Sequence, residues 1–325
     1  MNQEKLNGLE QVIVRDYGNI AGVIIQKDGM KIYENHFHEH TADDAIHIFS
    51  VTKSIFSALV GIAIDKGYID SVDQKVLDFF PGYIVRADET TKQNVTIKHL
   101  LTMTAPYTFA SEPYEEFFAS DNWVKTALDF LGGTNPIGEF MYSPIIGAHI
   151  LSGILIQATG RSVLDFASEH LFSPLGIKDV RTVVLHDKEE QLAFYMKDRH
   201  SRGWVVDPQG IHTASWGLAL TPDDMVKIGQ LYLNSGIWDG KQLIPAHWID
   251  ESTTVHSRWN QLSYGYLWWI IDATAHSYAA IGDGGNVIYV NPRKQLVVSI
   301  ASLFVPDIKD RIEFILRDIE PIFGE

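Results

Sequence analysis

Apolar residues first recur at helical spacing. Leu6, Leu9, Val12 and Ile13 fall on one face of a stretch from Glu4 to Asp16, which predicts an amphipathic helix. Two runs rich in β-branched residues follow, Ile20 to Gln26 and Met30 to Asn35. They are joined through Lys27-Asp28-Gly29, and Asp-Gly between such runs predicts a tight hairpin. An almost wholly apolar helix is expected from Ser57 to Lys66, stopped by Gly67. Thr96 reads as the N-cap of a short helix, Trp123 to Leu131 as a helix ended by Gly132-Gly133, Ile146 to Ala158 as an apolar helix closed by Gly160, and Ser162 to Leu171 as another. Residues 70 to 200 therefore read as helical. Thr221-Pro222-Asp223-Asp224 has the N-cap, the proline and the first-turn acids of a helix start, and that helix runs to Leu233. Tyr266 to Ile271, Tyr278 to Ile281, Asn286 to Val290 and Leu296 to Leu303 then read as strands. Asp307 to Ile319 reads as a closing helix with Ile308, Ile312, Ile315, Leu316 and Ile319 on one side.

Strands at both ends around a helical centre predict an α/β (α+β) architecture. Residues 1–69 and 201–325 would form one lobe, an antiparallel sheet flanked by helices. Residues 70–200 would form an inserted all-α lobe, with a cleft between the two. A chain of 325 residues is long enough for this, and 46% hydrophobic with 21% charged residues is ordinary for a globular protein. A formal net charge of −15 argues against nucleic acid and anionic membranes as partners. The absence of cysteine excludes disulfides, thiol catalysis and zinc-thiolate sites. The start, Met1-Asn2-Gln3-Glu4-Lys5-Leu6, lacks a basic segment leading into an apolar run, and no later run is long enough to span a bilayer, so a cytoplasmic location is expected. His36, His38 and His40 would face one way on an extended strand, which could suit a metal. No carboxylate cluster or His-Glu-x-x-His accompanies them, and a polar strand edge is the simpler reading.

The chemistry concentrates in His47-Ile48-Phe49-Ser50-Val51-Thr52-Lys53-Ser54, at the head of the apolar helix. Ser50 stands where an N-cap would stand, and Lys53, three residues on, shares its face of the first turn. A serine hydroxyl becomes nucleophilic when a base takes its proton, and a lysine can be that base if burial disfavours its charged form. The helix N-terminus adds free N–H groups and a positive dipole end, which favour a developing oxyanion. Ser-x-x-Lys is thus a compact acyl-transfer device. Taken alone, it is equally an ordinary cap followed by a surface lysine.

Several further pieces fall in one family's order. They are Phe49 to Ser54 with Gly61-Ile62-Ala63; Thr96 to Thr104; Tyr142-Ser143; Pro174-Leu175-Gly176; Gly217 to Pro222; Gly229 to Leu233 with Trp238-Asp239-Gly240-Lys241; Tyr264 to Trp269; and Gly282-Asp283-Gly284-Gly285-Asn286. Over nearly its whole length the chain resembles the serine β-lactamase and penicillin-binding-protein superfamily, in its class C-like branch of esterases, D-aminopeptidases and amide-oligomer hydrolases. The resemblance implies that Ser50 is acylated, that Lys53 is its base or sets up the base, and that Tyr142 carries a proton to the leaving group and from the hydrolytic water. It also implies that the main-chain N–H groups of Ser50 and Asn286 form the oxyanion hole. Asp283, Gly284 and Gly285 would then line the substrate, and neither cofactor nor metal is called for. Read singly, Tyr142 is a packed aromatic and Gly284-Gly285 a turn.

Three departures bear on the substrate. The family's Tyr-x-Asn is Tyr142-Ser143-Pro144 here, and proline offers no amide. Its third element, a lysine or histidine then a small residue then glycine, is read as Asp283-Gly284-Gly285, and an aspartate there would repel a substrate carboxylate. Ala105-Pro106 replaces a common Ser-Gly. The expected activity is therefore hydrolysis of a neutral or cationic small-molecule ester or amide through an acyl-Ser50 intermediate. A β-lactamase or D-Ala-specific peptidase is one alternative, and a non-catalytic binding or sensor module on the same fold is another. Tyr107, Phe109, Trp216, Tyr264, Trp268 and Trp269 are candidates to line the cleft.

Overall fold

The computed structural model describes residues 3–86 and 88–324. The first two apolar runs form β1 (Ile20–Lys27) and β2 (Met30–His36), paired antiparallel. Asp28 and Gly29 take φ values of 50° and 75°, the left-handed pair that a tight hairpin turn demands. The later strands among the described residues are β3 (Ile46–His47), β4 (Arg181–Val184), β5 (Gly203–Val206) and β6 (Leu218–Leu220), the short ribbon β7 (Ile237–Trp238) and β8 (Lys241–Gln242), and then β9 (Ser257–Trp259), β10 (Leu262–Tyr264), β11 (Trp269–Asp272), β12 (Ser277–Gly282), β13 (Asn286–Asn291) and β14 (Leu296–Ser302). The main sheet runs β2-β1-β14-β13-β12-β11-β10-β9, antiparallel throughout, and a smaller sheet runs β3-β6-β5-β4.

Helices cover both faces of the main sheet, so β13 and β14 are buried at every position. On one face the Pro222–Leu233 helix lies against β13 and β14. A side chain at Gly229 would stand 2.5 Å from Val297 Cγ1, so glycine sets this close approach. On the other face Leu9 and Ile13 of the Gln3–Asp16 helix join Phe314, Ile315 and Ile319 in a second core. The Val51–Asp65 helix is wedged between the sheet and the Ile146–Thr159 helix, and Val51 through Ala63 are all buried. Burial on every side explains why this segment has no polar face.

The structure differs from the sequence reading at three places. Arg181–Val184, within the stretch read as helical, is a strand paired in parallel with β5. The run Tyr266 to Ile271 is not one strand: Leu267 takes φ 61°, its N–H donates to Leu101 O at 2.9 Å, and Ser54 Oγ donates to its carbonyl at 2.6 Å. These ties replace ladder bonds with bonds to helices, so apolar character reflects burial here rather than extension. The closing helix begins at Arg311, because the Asp310 carboxylate caps it through Ile312 N at 2.7 Å and Glu313 N at 3.0 Å. A π turn over Ile315–Ile319 then shifts its phase. Ile308 and Leu316 consequently lie exposed, and Phe314 and Phe323 are buried in their place.

Candidate active site

Ser50 is presented by a tight turn between β3 and the Val51–Asp65 helix. Ile48 N donates to Leu218 O at 3.0 Å, extending the β3–β6 pairing to the brink of the turn. Phe49 then takes a left-handed φ of 48°, costly for a bulky residue. Thr52 holds it there, its N–H and hydroxyl both donating to Phe49 O at 3.1 and 2.7 Å. The Ser50 hydroxyl makes no capping bond to the helix. It accepts instead from Lys53 Nζ at 2.7 Å, and Nζ also donates to Ser215 O at 3.2 Å. Lys53 is only 2% exposed and forms no ion pair among the described residues. Burial pulls its pKa down to about 8, against the opposing influence of the Asp283 and Glu112 carboxylates. The Ser50 N–H has no acceptor among the described residues.

Tyr142 approaches from the start of the Ile146–Thr159 helix. Burial, then the charges of Asp283 and Glu112, raise its pKa, while a hydrogen bond with the Ser50 side chain acts the other way. The phenol is therefore held protonated. Its neighbour Ser143 is wholly buried, donates to Glu112 Oε1 and accepts from Gly147 N at 2.9 Å. Glu112 also accepts from Ile146 N at 2.9 Å and from Ile145 N at 3.2 Å. It thus caps a helix whose own N-cap residue, Ile145, has no polar side chain. Burial raises the Glu112 pKa, and these bonds oppose the rise. Sequence reasoning missed Glu112. The one available signal was an apolar residue at the N-cap, which required a cap from elsewhere in the chain.

Neither of the two glycines expected to line the substrate is the one that meets the Ser50 turn. Gly284 and Gly285 are buried in a turn at φ 75° and 89°, backed by Leu303 O and the Arg311 side chain, so they do not line the cleft. Asn286 is wholly buried on β13, its Nδ2 donating to Asp283 O at 2.8 Å and Ser302 O at 3.0 Å, so its side chain bridges the turn to β14. The glycine pressed on the Ser50 turn is Gly282: a Cβ there would lie 2.3 Å from Ile48 O and 3.0 Å from Ser50 N. Ala280 and Ile281 precede it, so no cation stands just before the glycine that meets the turn. Asp283 comes next, is exposed, and its carboxylate influences Lys53, Tyr142, Tyr114 and Tyr195.

Residues 11–313 match the profile of the beta-lactamase family. The chain belongs to the beta-lactamase family. It is 21% identical over 304 residues to the 6-aminohexanoate-dimer hydrolase of Paenarthrobacter ureafaciens, covering 86% of this chain and 72% of that one. Its fold matches the octameric penicillin-binding protein homologue from Pyrococcus abyssi with a TM-score of 0.71 at 19% identity, over 98% of this chain and 78% of that one. It also matches a family VIII carboxylesterase with a TM-score of 0.66 at 16% identity, over 94% and 92% of the two chains. The beta-lactamase-family chain is thus placed among hydrolases, with amide-hydrolase and carboxylesterase neighbours.

In this beta-lactamase-family chain two aromatic groups adjoin the Ser50 turn, one around Tyr142 and one around His47. Tyr142 lies nearly parallel to Phe140 and Trp259, with ring centroids 6.3 and 6.2 Å away, and Trp269 stands at 6.0 Å. Beside Phe49, Tyr195 stacks on His47 at 5.5 Å and meets Trp216 edge-on at 5.2 Å. His47 is buried, which pushes its pKa well down. Its neutral Nε2 accepts from Gly217 N at 2.9 Å, fixing the loop whose Ser215 carbonyl holds Lys53. Of the other aromatic candidates, Tyr264 and Trp268 are core residues, and Tyr107 is buried with Phe109 stacked on it. The three histidines do not share a face. β2 ends at His36, which lies 3.1 Å from Glu34, and φ values of 52° and 63° at His38 and Glu39 break the alternation before His40. Among the described residues no group of three or more His, Cys, Asp or Glu is placed to hold a metal.

Proposed function

We propose that this chain is a serine hydrolase that cleaves a small-molecule ester or amide through an acyl-Ser50 intermediate. The observation that carries the reading is the buried Lys53 ammonium site 2.7 Å from Ser50 Oγ, without a carboxylate ion-pair partner among the described residues. With its pKa lowered to about 8, a useful share of this amine is neutral near pH 7. Neutral Nζ takes the Ser50 proton as Oγ attacks the carbonyl carbon. The carbonyl oxygen becomes an oxyanion, received by the N–H of Ser50 and by that of Asp283, which follows Gly282 at the same edge. The protonated Tyr142 gives its proton to the departing alcohol or amine and recovers one from Lys53. Water then attacks the acyl carbonyl by the same proton route reversed, and the carboxylic acid leaves Ser50. The neighbouring hydrolase of a 6-aminohexanoate dimer and the carboxylesterase support amides and esters as the bonds concerned. The exposed Asp283 carboxylate favours neutral or cationic substrates over the anionic β-lactams.

Hydrolysis of p-nitrophenyl acetate, together with intact-mass detection of a fluorophosphonate adduct, tests this. The parent chain is expected to turn over the ester and gain one adduct, and Ser50→Ala to lose both to the background rate. An alanine variant as fast as the parent would overturn the role of Ser50. A parent inert to every probe would leave the binding-module alternative. Brisk Ser50-dependent turnover of nitrocefin would overturn the substrate preference alone.

A further inference from the structure

Arg311, the first residue of the closing helix, is 3% exposed and forms no ion pair among the described residues. A guanidinium taken out of water with no carboxylate beside it is costly. Its partners are neutral groups instead. Nη1 donates to Lys309 O at 2.8 Å, Nη2 donates to Asn19 Oδ1, and the guanidinium carbon sits 4.7 Å from the centre of the Tyr17 ring. Burial lowers its pKa to about 10, against the opposing influence of Tyr17 and Asp310, so the group stays charged at neutral pH. An apolar side chain of similar length would fill the same space without that cost.

The charge lies against the back of the turn that reaches the Ser50 site. A Cβ on Gly285 would stand 2.7 Å from Arg311 Nε, so the guanidinium is pressed on that backbone. Because Arg311 donates to Asn19 Oδ1, the amide is held with its Nδ2 turned the other way. That Nδ2 donates to Gly284 O and to Leu303 O, each at 2.7 Å. The Asn19 main chain adds a further tie, its carbonyl accepting from Leu303 N at 2.9 Å. On the other side, Gly282 meets the Ser50 turn with only main-chain atoms at the contact. Residues 282–285 are therefore clamped between the Ser50 turn and the Asn19–Arg311 pair. Asp283, whose N–H receives the oxyanion in the proposed mechanism, lies inside that clamp. An oxyanion hole works through donors fixed before the charge develops, and a cation buried behind the turn favours negative charge in front of it.

Resting on the acyl-Ser50 reading, we propose that Arg311 is a positioning residue for acyl transfer, holding the oxyanion edge through Asn19. The test measures kcat, KM and the urea midpoint with p-nitrophenyl acetate for Arg311→Met, for Asn19→Ala and for the two combined. Exchanging a buried charge for an apolar side chain of similar length often leaves stability unchanged. Arg311→Met is therefore expected to keep the parental urea midpoint, and KM within about twofold, while kcat falls by about tenfold or more, a part of what a lost oxyanion donor costs. Asn19→Ala should lower kcat by a similar factor. The double variant should be no slower than the slower single one, because the two residues act in series on one turn. A parental kcat in Arg311→Met, a kcat that falls only in step with the folded fraction, or losses that multiply in the double variant overturns the role of Arg311 and leaves the hydrolase reading standing. Should Arg311→Met not fold, Asn19→Ala decides alone, and a parental kcat there overturns the proposal. No Ser50-dependent turnover and no fluorophosphonate adduct in the parent chain overturns both.

Discussion

At the scale of single residues the site turns on where a proton rests. Lys53 is depressed in the fold from its ordinary 10.5 to about 8 by burial. The unfolded chain keeps this proton to higher pH, so the native state gains stability as pH rises from about 8 toward 10.5 and carries the full burial penalty below that window. Activity should follow the same group, with kcat/KM rising through an apparent pKa near 8. The Glu112 carboxylate raises the Lys53 pKa, so Glu112→Gln, which removes that charge, should move the rising limb to lower pH. A pH–rate profile of both proteins checks this, and superimposable limbs would mean that Glu112 acts on the helix alone. Glu112 could not be read from the sequence because its partners are main-chain N–H groups more than thirty residues away. Ser50 and Lys53 could be read because three-residue spacing on a helix already places them together.

At the scale of elements, local rules held where local bonds decide. Asp28-Gly29 made its hairpin, and Thr221 with Asp224 made a reciprocal cap at the head of the Pro222–Leu233 helix. They failed where distant chain supplies the partner, as at Arg181–Val184, which is a strand because β5 lies beside it. Which glycine meets the Ser50 turn was hidden in the same way. Three of the four glycines and aspartates from 282 to 285 are glycine, and only contact with the Ser50 turn tells them apart. Gly282→Ala tests that contact, because its neighbours there are main-chain atoms that cannot swing aside. We expect a loss of about 1–3 kcal/mol in stability and at least tenfold slower fluorophosphonate labelling of Ser50. Unfolding by urea and the labelling rate measure the two, and labelling at the parental rate would place the oxyanion edge elsewhere.

At the scale of the whole molecule, fold class was legible from the alternation of strands and helices and from family order, whereas the lining of a cavity of about 590 Å³ was not, since its walls come from 114–123, 185–195, 205–208 and 216 together. The formal charge of −15 also acts at this scale. Its field, with Asp283 at the mouth, should draw in cationic esters and slow anionic ones. Raising ionic strength from about 0.01 to about 0.15 M should therefore lower kcat/KM for a choline-type ester and raise it for a succinyl-type ester. Stopped-flow or steady-state rates across a salt series decide this, and parallel responses of the two would remove the field from the account. Among the described residues no helix is long and apolar enough to cross a membrane.

The approach of β12 to the Ser50 turn also limits what this scaffold can become. Ala280, two residues before Gly282 and on the same side of the strand, is completely enclosed. A lysine or histidine introduced there would arrive without water or a counter-ion, and would shed its proton or unseat the strand before it could greet a drug's carboxylate. Placing a cation at position 280 would therefore have to begin by hollowing out room around it.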